Sequence, residues 1–197
     1  MKYLTEFGLA VRGLSRHHGI DPLDFDKQCD SALPLDNLLR PDPMVKALFR
    51  DIDRDKVNVW SLTNAYKNHA FRVLQILELE DEMDGVVFCD YGVPNFSCKP
   101  EAQFYELALM QAGVRDSSRC FFIDDSLANV QAAKKLGWGS CVYFCEKDAS
   151  SSAELSPGTT GGVDHVISDL GELRRVWPEI FRRTPTDLST SQCASPP

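Results

Sequence analysis

No apolar run in this sequence approaches the roughly 20 residues that a helix needs to cross a bilayer. The segment after Met1 is amphipathic, with none of the charge-then-apolar order of a secretory leader. Excess positive charge is missing as well. Against 29 acidic residues stand 21 Lys and Arg, giving a net charge of -8 and a pI near 5.0. That balance argues against a broad electrostatic footprint on nucleic acid or an anionic membrane. The seven cysteines are odd in number and form no CxxC, so neither a disulfide framework nor a zinc site is suggested. Most read as small core hydrophobes in a reducing compartment. The four histidines fall at no metal-ligand spacing and read as structural. The expected setting is soluble and intracellular, in the cytoplasm or the nucleus; oligomeric state is not written in the sequence.

What is present is an ordinary globular composition, 43% hydrophobic and 25% charged over 197 residues. That suffices for one core domain and a small accessory piece. Leu4, Phe7, Val11 and Leu14 share one face of a helix, which Gly19 stops. Asp21 with Pro22, and Asp42 with Pro43, pair an N-cap residue with a proline at the first helical position. Residues 1–40 are expected to form a small helical unit.

From Val57 onward short apolar strands alternate with amphipathic helices. VNVWSLT (57–63), GVVFCDY (85–91), CFFID (120–124), SCVYFC (140–145) and HVISD (165–169) read as strands. Helices are expected around 71–77, 100–111, 127–137 and through Leu173, Val176 and Ile180. Such alternation means an α/β fold, a parallel sheet with helices on both faces, spanning residues 41–181. Residues 149–162 read as a Ser/Gly-rich loop and 182–197 as a disordered tail.

Ligands of these sheets bind beyond the carboxyl ends of the strands, and polar residues gather there. Thr63 and Asn64 end one strand, Lys99 precedes a proline-initiated helix, and Asp124 and Asp125 end another strand. Each has a plain explanation: a helix cap, a solvated lysine, a turn. Together they describe a phosphoryl site, with a hydroxyl and backbone N–H groups for phosphate oxygens, a lysine for charge balance and hard carboxylates for magnesium.

WSLTN, CKP and FFIDDSLANV, in this order and context, resemble the second, third and fourth motifs of the haloacid dehalogenase-like (HAD) hydrolases. EFGLAVRGL, LTNAYKNHA and VFCDY narrow the resemblance to the fungal and plant-type pyrimidine 5'-nucleotidases of that superfamily, over residues 1 to about 181. The resemblance implies a Rossmannoid sheet, a helical cap of which residues 1–40 are part, and Mg2+-dependent hydrolysis of a small phosphate monoester, a pyrimidine nucleoside monophosphate. It implies that Thr63, helped by Asn64, binds the phosphoryl group, that Lys99 steadies it and the nucleophile, and that Asp124 and Asp125 hold Mg2+. Arg12 is a candidate substrate ligand, with a solvated helix arginine as the alternative.

Family members begin with a strand ending in DxDxT, whose first Asp attacks phosphorus. This sequence shows no such strand. RDIDRD (50–55) contains Asp51 and Asp53 but continues an amphipathic helix and lacks the following Thr. The expectation is a chain that starts inside the cap, without its central nucleophile strand, and is inactive as given. The alternative is a non-catalytic HAD-like protein that keeps a phosphate or metal pocket. A response-regulator receiver is excluded by order, since there the acidic pair comes first and the lysine last.

Overall fold

The computed structural model describes residues 2–146 and 161–182. Residues 147–160, which take in most of the Ser/Gly-rich loop expected over 149–162, and the tail from 183 onward lie outside the described residues. Two helices, α1 (Lys2–Phe7) and α2 (Ala10–His18), open the chain where a single one was expected. The break is Gly8, whose φ of 73° is left-handed and cannot continue a right-handed helix. Gly19 ends α2 as expected, its N–H bonding to Ser15 O. Asp21 caps α3 (Pro22–Phe25) through Leu23 N–H, and α3 runs into a π-helical turn over Asp26–Asp30. After α4 (Leu35–Leu38), Asp42 caps α5 (Pro43–Arg50) through Met44 N–H.

Then comes the alternation: β1 (Trp60–Leu62), α6 (Lys67–Ile76), β2 (Gly85–Val87), α7 (Ala102–Gln111), β3 (Phe121–Asp124), α8 (Leu127–Lys135), β4 (Ser140–Phe144), β5 (His165–Ile167) and α9 (Leu173–Val176). All pairing between these strands is parallel. β1 pairs with β2 in the register Leu62 to Val87, and β3–β4–β5 form a second sheet with Asp124 opposite Tyr143. Among the described residues β1 has one partner strand, β3 has one partner strand, and no ladder joins the two.

Along β3 and β4 successive side chains enter opposite cores, the period-two consequence of a pleated strand. Phe122 and Cys141 pack with Tyr105 of α7 and Val130 and Ala133 of α8. Phe121, Ile123 and Val142 pack on the other face with Leu48 of α5, Leu173 and Trp177. A third core holds Val11 of α2 against Val87, Cys89 and Phe104. Helix α7 serves two cores at once, with Phe104 on one side and Tyr105 on the other, both fully buried. Burying each such ring contributes roughly 1.5–3 kcal/mol. β1 is shorter than its apolar pattern suggests. Val57 and Val59 are spent on the core beneath, and Asp84 takes up the Val59 backbone through both its own N–H and its carboxylate.

Candidate active site

Thr63 follows β1 directly. Its N–H extends the parallel ladder to Val87 O at 2.9 Å, and its Oγ1 accepts from Ala65 N–H at 3.1 Å. With its lone pair engaged this way, the hydroxyl keeps its proton to donate. Asn64 is held differently from what its place beside Thr63 suggests. Its Oδ1 accepts from Lys99 N–H at 2.7 Å and its Nδ2 donates to Lys99 O at 3.0 Å. The side-chain amide thus grips both backbone polar groups of one residue 35 positions away.

Lys99 is gripped so that its chain reaches inward. Nζ donates to Leu62 O at 2.7 Å and to Asp124 Oδ2 at 2.6 Å, with Lys99 8% and Asp124 9% exposed. It therefore spans from the carboxyl end of β1 to that of β3, across the line where no ladder runs. Asp124 is satisfied on its other side too: Oδ1 accepts from Ser126 N–H at 2.8 Å and from Asn129 Nδ2 at 2.9 Å. A buried carboxylate costs several kcal/mol unless countercharge and donors surround it, and here a lysine, a helix N-terminus and an amide do so. Lys99 thus brings together the carboxyl end of β1, where Thr63 follows Leu62, and that of β3, where Asp124 lies. Asp125 follows Asp124 in sequence and is exposed.

Arg12 reaches no part of this edge. Its guanidinium donates to Phe7 O, to Cys98 Sγ at 3.2 Å and to Glu101 Oε1 at 2.5 Å, while Glu101 Oε2 accepts from Cys98 N–H. The arginine ties α2 to the turn that carries Lys99. Two of the three acids of RDIDRD are occupied elsewhere: Asp51 pairs with Arg174 and Asp53 with Lys56, and Ile52 between them bridges to Phe181. The thiols of Cys89 and Cys98 are pushed up by burial, so neither is a thiolate at neutral pH.

For a cation, the donors are Asp124 and Asp125. Among the described residues no group of three or more His, Cys, Asp or Glu is arranged to hold a metal. Magnesium commonly takes one or two carboxylates and completes its shell with water and substrate phosphate. The spare lone pair on Asp124 Oδ2 and the exposed Asp125 fit that open kind of site and no closed one.

Beside Asn64 lies a cavity of about 290 Å3, lined by residues of α2, the turn after β1, Asp30, His69 and Tyr91. Sequence reasoning missed it, along with three parts of the site: the Leu62 carbonyl, the Asn64 clamp and Asn129. Asn129 alone left a signal. An amide in the first turn of a helix that opens after a buried acid is placed to bond back to it.

A family model described as haloacid dehalogenase-like hydrolase matches residues 6–137. Phosphate metabolism protein 8 of Saccharomyces cerevisiae is 36% identical over 152 residues, 73% of this chain and 47% of the yeast protein. The chain thus spans about half the length of that curated relative. Among solved structures, a Thermotoga maritima protein described provisionally as a beta-phosphoglucomutase superposes with a TM-score of 0.58 at 18% identity, covering 91% of this chain and 89% of its own. A HAD phosphatase from Thermococcus onnurineus gives 0.53 at 21%, covering 89% and 84%. Identities this low speak for the fold alone.

Proposed function

Because this chain belongs to the haloacid dehalogenase-like hydrolases, we propose that it carries the phosphate-holding part of a phosphomonoesterase site whose substrate is a pyrimidine nucleoside monophosphate. The observation that carries the reading is Lys99 Nζ between Leu62 O and Asp124 Oδ2, one residue from the Thr63 hydroxyl. A buried ammonium and a free hydroxyl proton at one strand edge suit the oxygens of a phosphoryl group. Residues 1–40 act as part of a cap over this edge.

In this reading the Thr63 hydroxyl donates to one phosphoryl oxygen and Lys99 balances the charge. Asn64 acts through Lys99, fixing the backbone from which the ammonium projects. Asp124 and Asp125 hold Mg2+, which supplies further charge neutralisation when bound. Among the described residues Asp124 accepts three hydrogen bonds, Asp125 is assigned to the cation and the nearby thiols are protonated, so none of these is poised to attack phosphorus. Attack by water alone forfeits several orders of magnitude, so the chain binds and positions phosphate without turning it over.

The test assays residues 1–197 with UMP and CMP in Mg2+, beside a version extended upstream by a strand ending in DxDxT and that version's Lys99→Ala variant. Turnover by the extended form alone, lost in Lys99→Ala, is the expected result. Turnover by the short form overturns the missing-nucleophile argument. A second reading, a phosphate- or cation-binding protein with no catalytic role, is favoured by the pairing of Asp124 with Lys99, which leaves that carboxylate holding charge in place. Inactivity of the extended form with intact phosphate binding would establish it.

A further inference from the structure

We infer that the cavity beside Asn64 seats the heterocycle of the substrate, and that His69 and Asp30 are the specificity-determining residues that read its edge. The inference deepens the phosphoryl-site reading and rests on it for where the ligand begins. Asn64 is common to both places: its side chain holds Lys99, and it lines the cavity with Ala65. A group esterified to a phosphate at Thr63 and Lys99 therefore has this open cavity next to it, across Asn64.

The walls say what kind of group fits. Val11, Phe25 and Tyr91 are apolar or aromatic, and the Tyr91 ring is backed by Tyr66 in a stack 5.1 Å apart at 14°. A flat ring gains from such surfaces. A sugar, with a hydroxyl on nearly every carbon, would leave most of its hydrogen bonds unmade against them. An alkyl chain would have no use for the polar side of the cavity.

That polar side is His69 and Asp30. The Nδ1 of His69 is buried and has no hydrogen-bond partner. Buried polar atoms are nearly always paired, so an orphan nitrogen on a residue that lines the cavity is open to a partner that a ligand brings once the ring turns toward it. Burial pushes the Asp30 carboxyl up, His69 pulls it back, and Asp26 adds to the rise. Asp26 itself is buried, with one oxygen taking Asn68 Nδ2 at 2.9 Å and the other unpaired. The two lining groups thus offer an imidazole nitrogen and a carboxylate side by side. A pyrimidine presents the complement, an acceptor next to an N–H donor along one edge: a carbonyl oxygen beside the ring N–H in uracil, the ring nitrogen beside the exocyclic amine in cytosine.

The experiment follows ligand binding by NMR on the 197-residue chain, with uridine, cytidine, ribose, a short alkyl alcohol and inorganic phosphate as separate probes. Uridine and cytidine should bind, and ribose and the alcohol should not. His69→Ala should weaken uridine about tenfold, the worth of one good hydrogen bond to a buried group, and leave phosphate binding within about twofold. Asp30→Asn, which turns an acceptor into a group that also donates, should change the ratio of uridine to cytidine binding. A purely structural role would not move that ratio. If His69→Ala loses phosphate as well, His69→Gln, which keeps a donor of similar reach, must retain uridine. Unchanged uridine binding in His69→Ala, failure of His69→Gln, or ribose or the alcohol binding as well as uridine overturns the proposal. Phosphate failing on the wild type while uridine binds and needs His69 would overturn the phosphoryl reading and leave the cavity assignment standing.

Discussion

Lys99 Nζ and Asp124 Oδ2 meet at 2.6 Å with side chains 9% and 5% exposed, and they come from opposite sides of a break in the sheet. Removing one partner of a buried pair leaves an uncompensated charge, at a cost of about 3–5 kcal/mol. Lys99→Met should therefore lower urea stability by that much. The double variant Lys99→Met, Asp124→Asn should lose clearly less than the two single losses added together. Additive losses would mean that the pair is not coupled.

Asn64→Ala should cost roughly 2 kcal/mol, about 1 for each hydrogen bond to the Lys99 backbone, and weaken phosphate binding although Asn64 itself need not touch phosphate. Asn64→Asp restores the acceptor for Lys99 N–H and sets a carboxylate against Lys99 O. It should do no better than alanine, and full recovery would show that the clamp has only one working arm.

Mg2+ titrated against phosphate binding should separate the two acidic clusters. Asp124→Asn removes one charge at nearly constant shape and should abolish the Mg2+ effect. Asp51→Asn loses only its exposed pairing with Arg174, a contact worth at most about 1 kcal/mol of stability, and should leave the Mg2+ effect intact. Equal responses from the two variants would disprove the cation site.

Gly139 is confined by space. A Cβ there would fall 1.9 Å from Ser118 O, a backbone atom that cannot swing aside. Gly139→Ala should cost at least about 3 kcal/mol, the upper end of overpacking penalties, measured by urea unfolding. A neutral outcome would mean that the turn before β4 moves freely.

Asp164 supplies a pH signature. Partial burial alone would push its carboxyl up, but hydrogen bonds from Lys134 Nζ and Cys141 N–H outweigh that and hold it below its ordinary value of 3.8. A carboxyl depressed in the folded state stabilises above its unfolded pKa, and that contribution fades as pH falls through the folded one. Wild type should thus lose more stability than Asp164→Asn as pH drops below about 4, and parallel acid limbs would refute this.

That Thr63 and Asp124 would stand together could be read because each marks a strand end, and such boundaries leave local marks. The caps at Asp21 and Asp42 were legible for the same reason. Lys99 was placed less well: the helix expected from Pro100 begins at Ala102, with Glu101 as its cap. What was not legible depends on contacts between distant parts of the chain. Nothing near Asn64 announces that its amide will hold Lys99, and a backbone carbonyl such as that of Leu62 has no sequence signature at all. The separate helices α1 and α2 were hidden because the apolar spacing of Phe7, Val11 and Leu14 continues smoothly across Gly8, where only the backbone conformation interrupts the helix.

A sheet in two parts also sets a rhythm for opening. Peptide ladders transmit cooperativity, whereas the β1 and β3 halves are joined by side chains, among them Lys99, the Leu62 contact with the Phe122 core, Val57 and Val59 in the core beneath β3 and β4, and the two faces of α7. Amide deuteration should accordingly divide the protein into two protection classes. Val142 and its neighbours in β4, flanked on both sides, should exchange only on global unfolding. The amides of β1 and β2 should exchange earlier and together, and Lys99→Met should widen the gap between the classes by loosening a buried charged link that spans them.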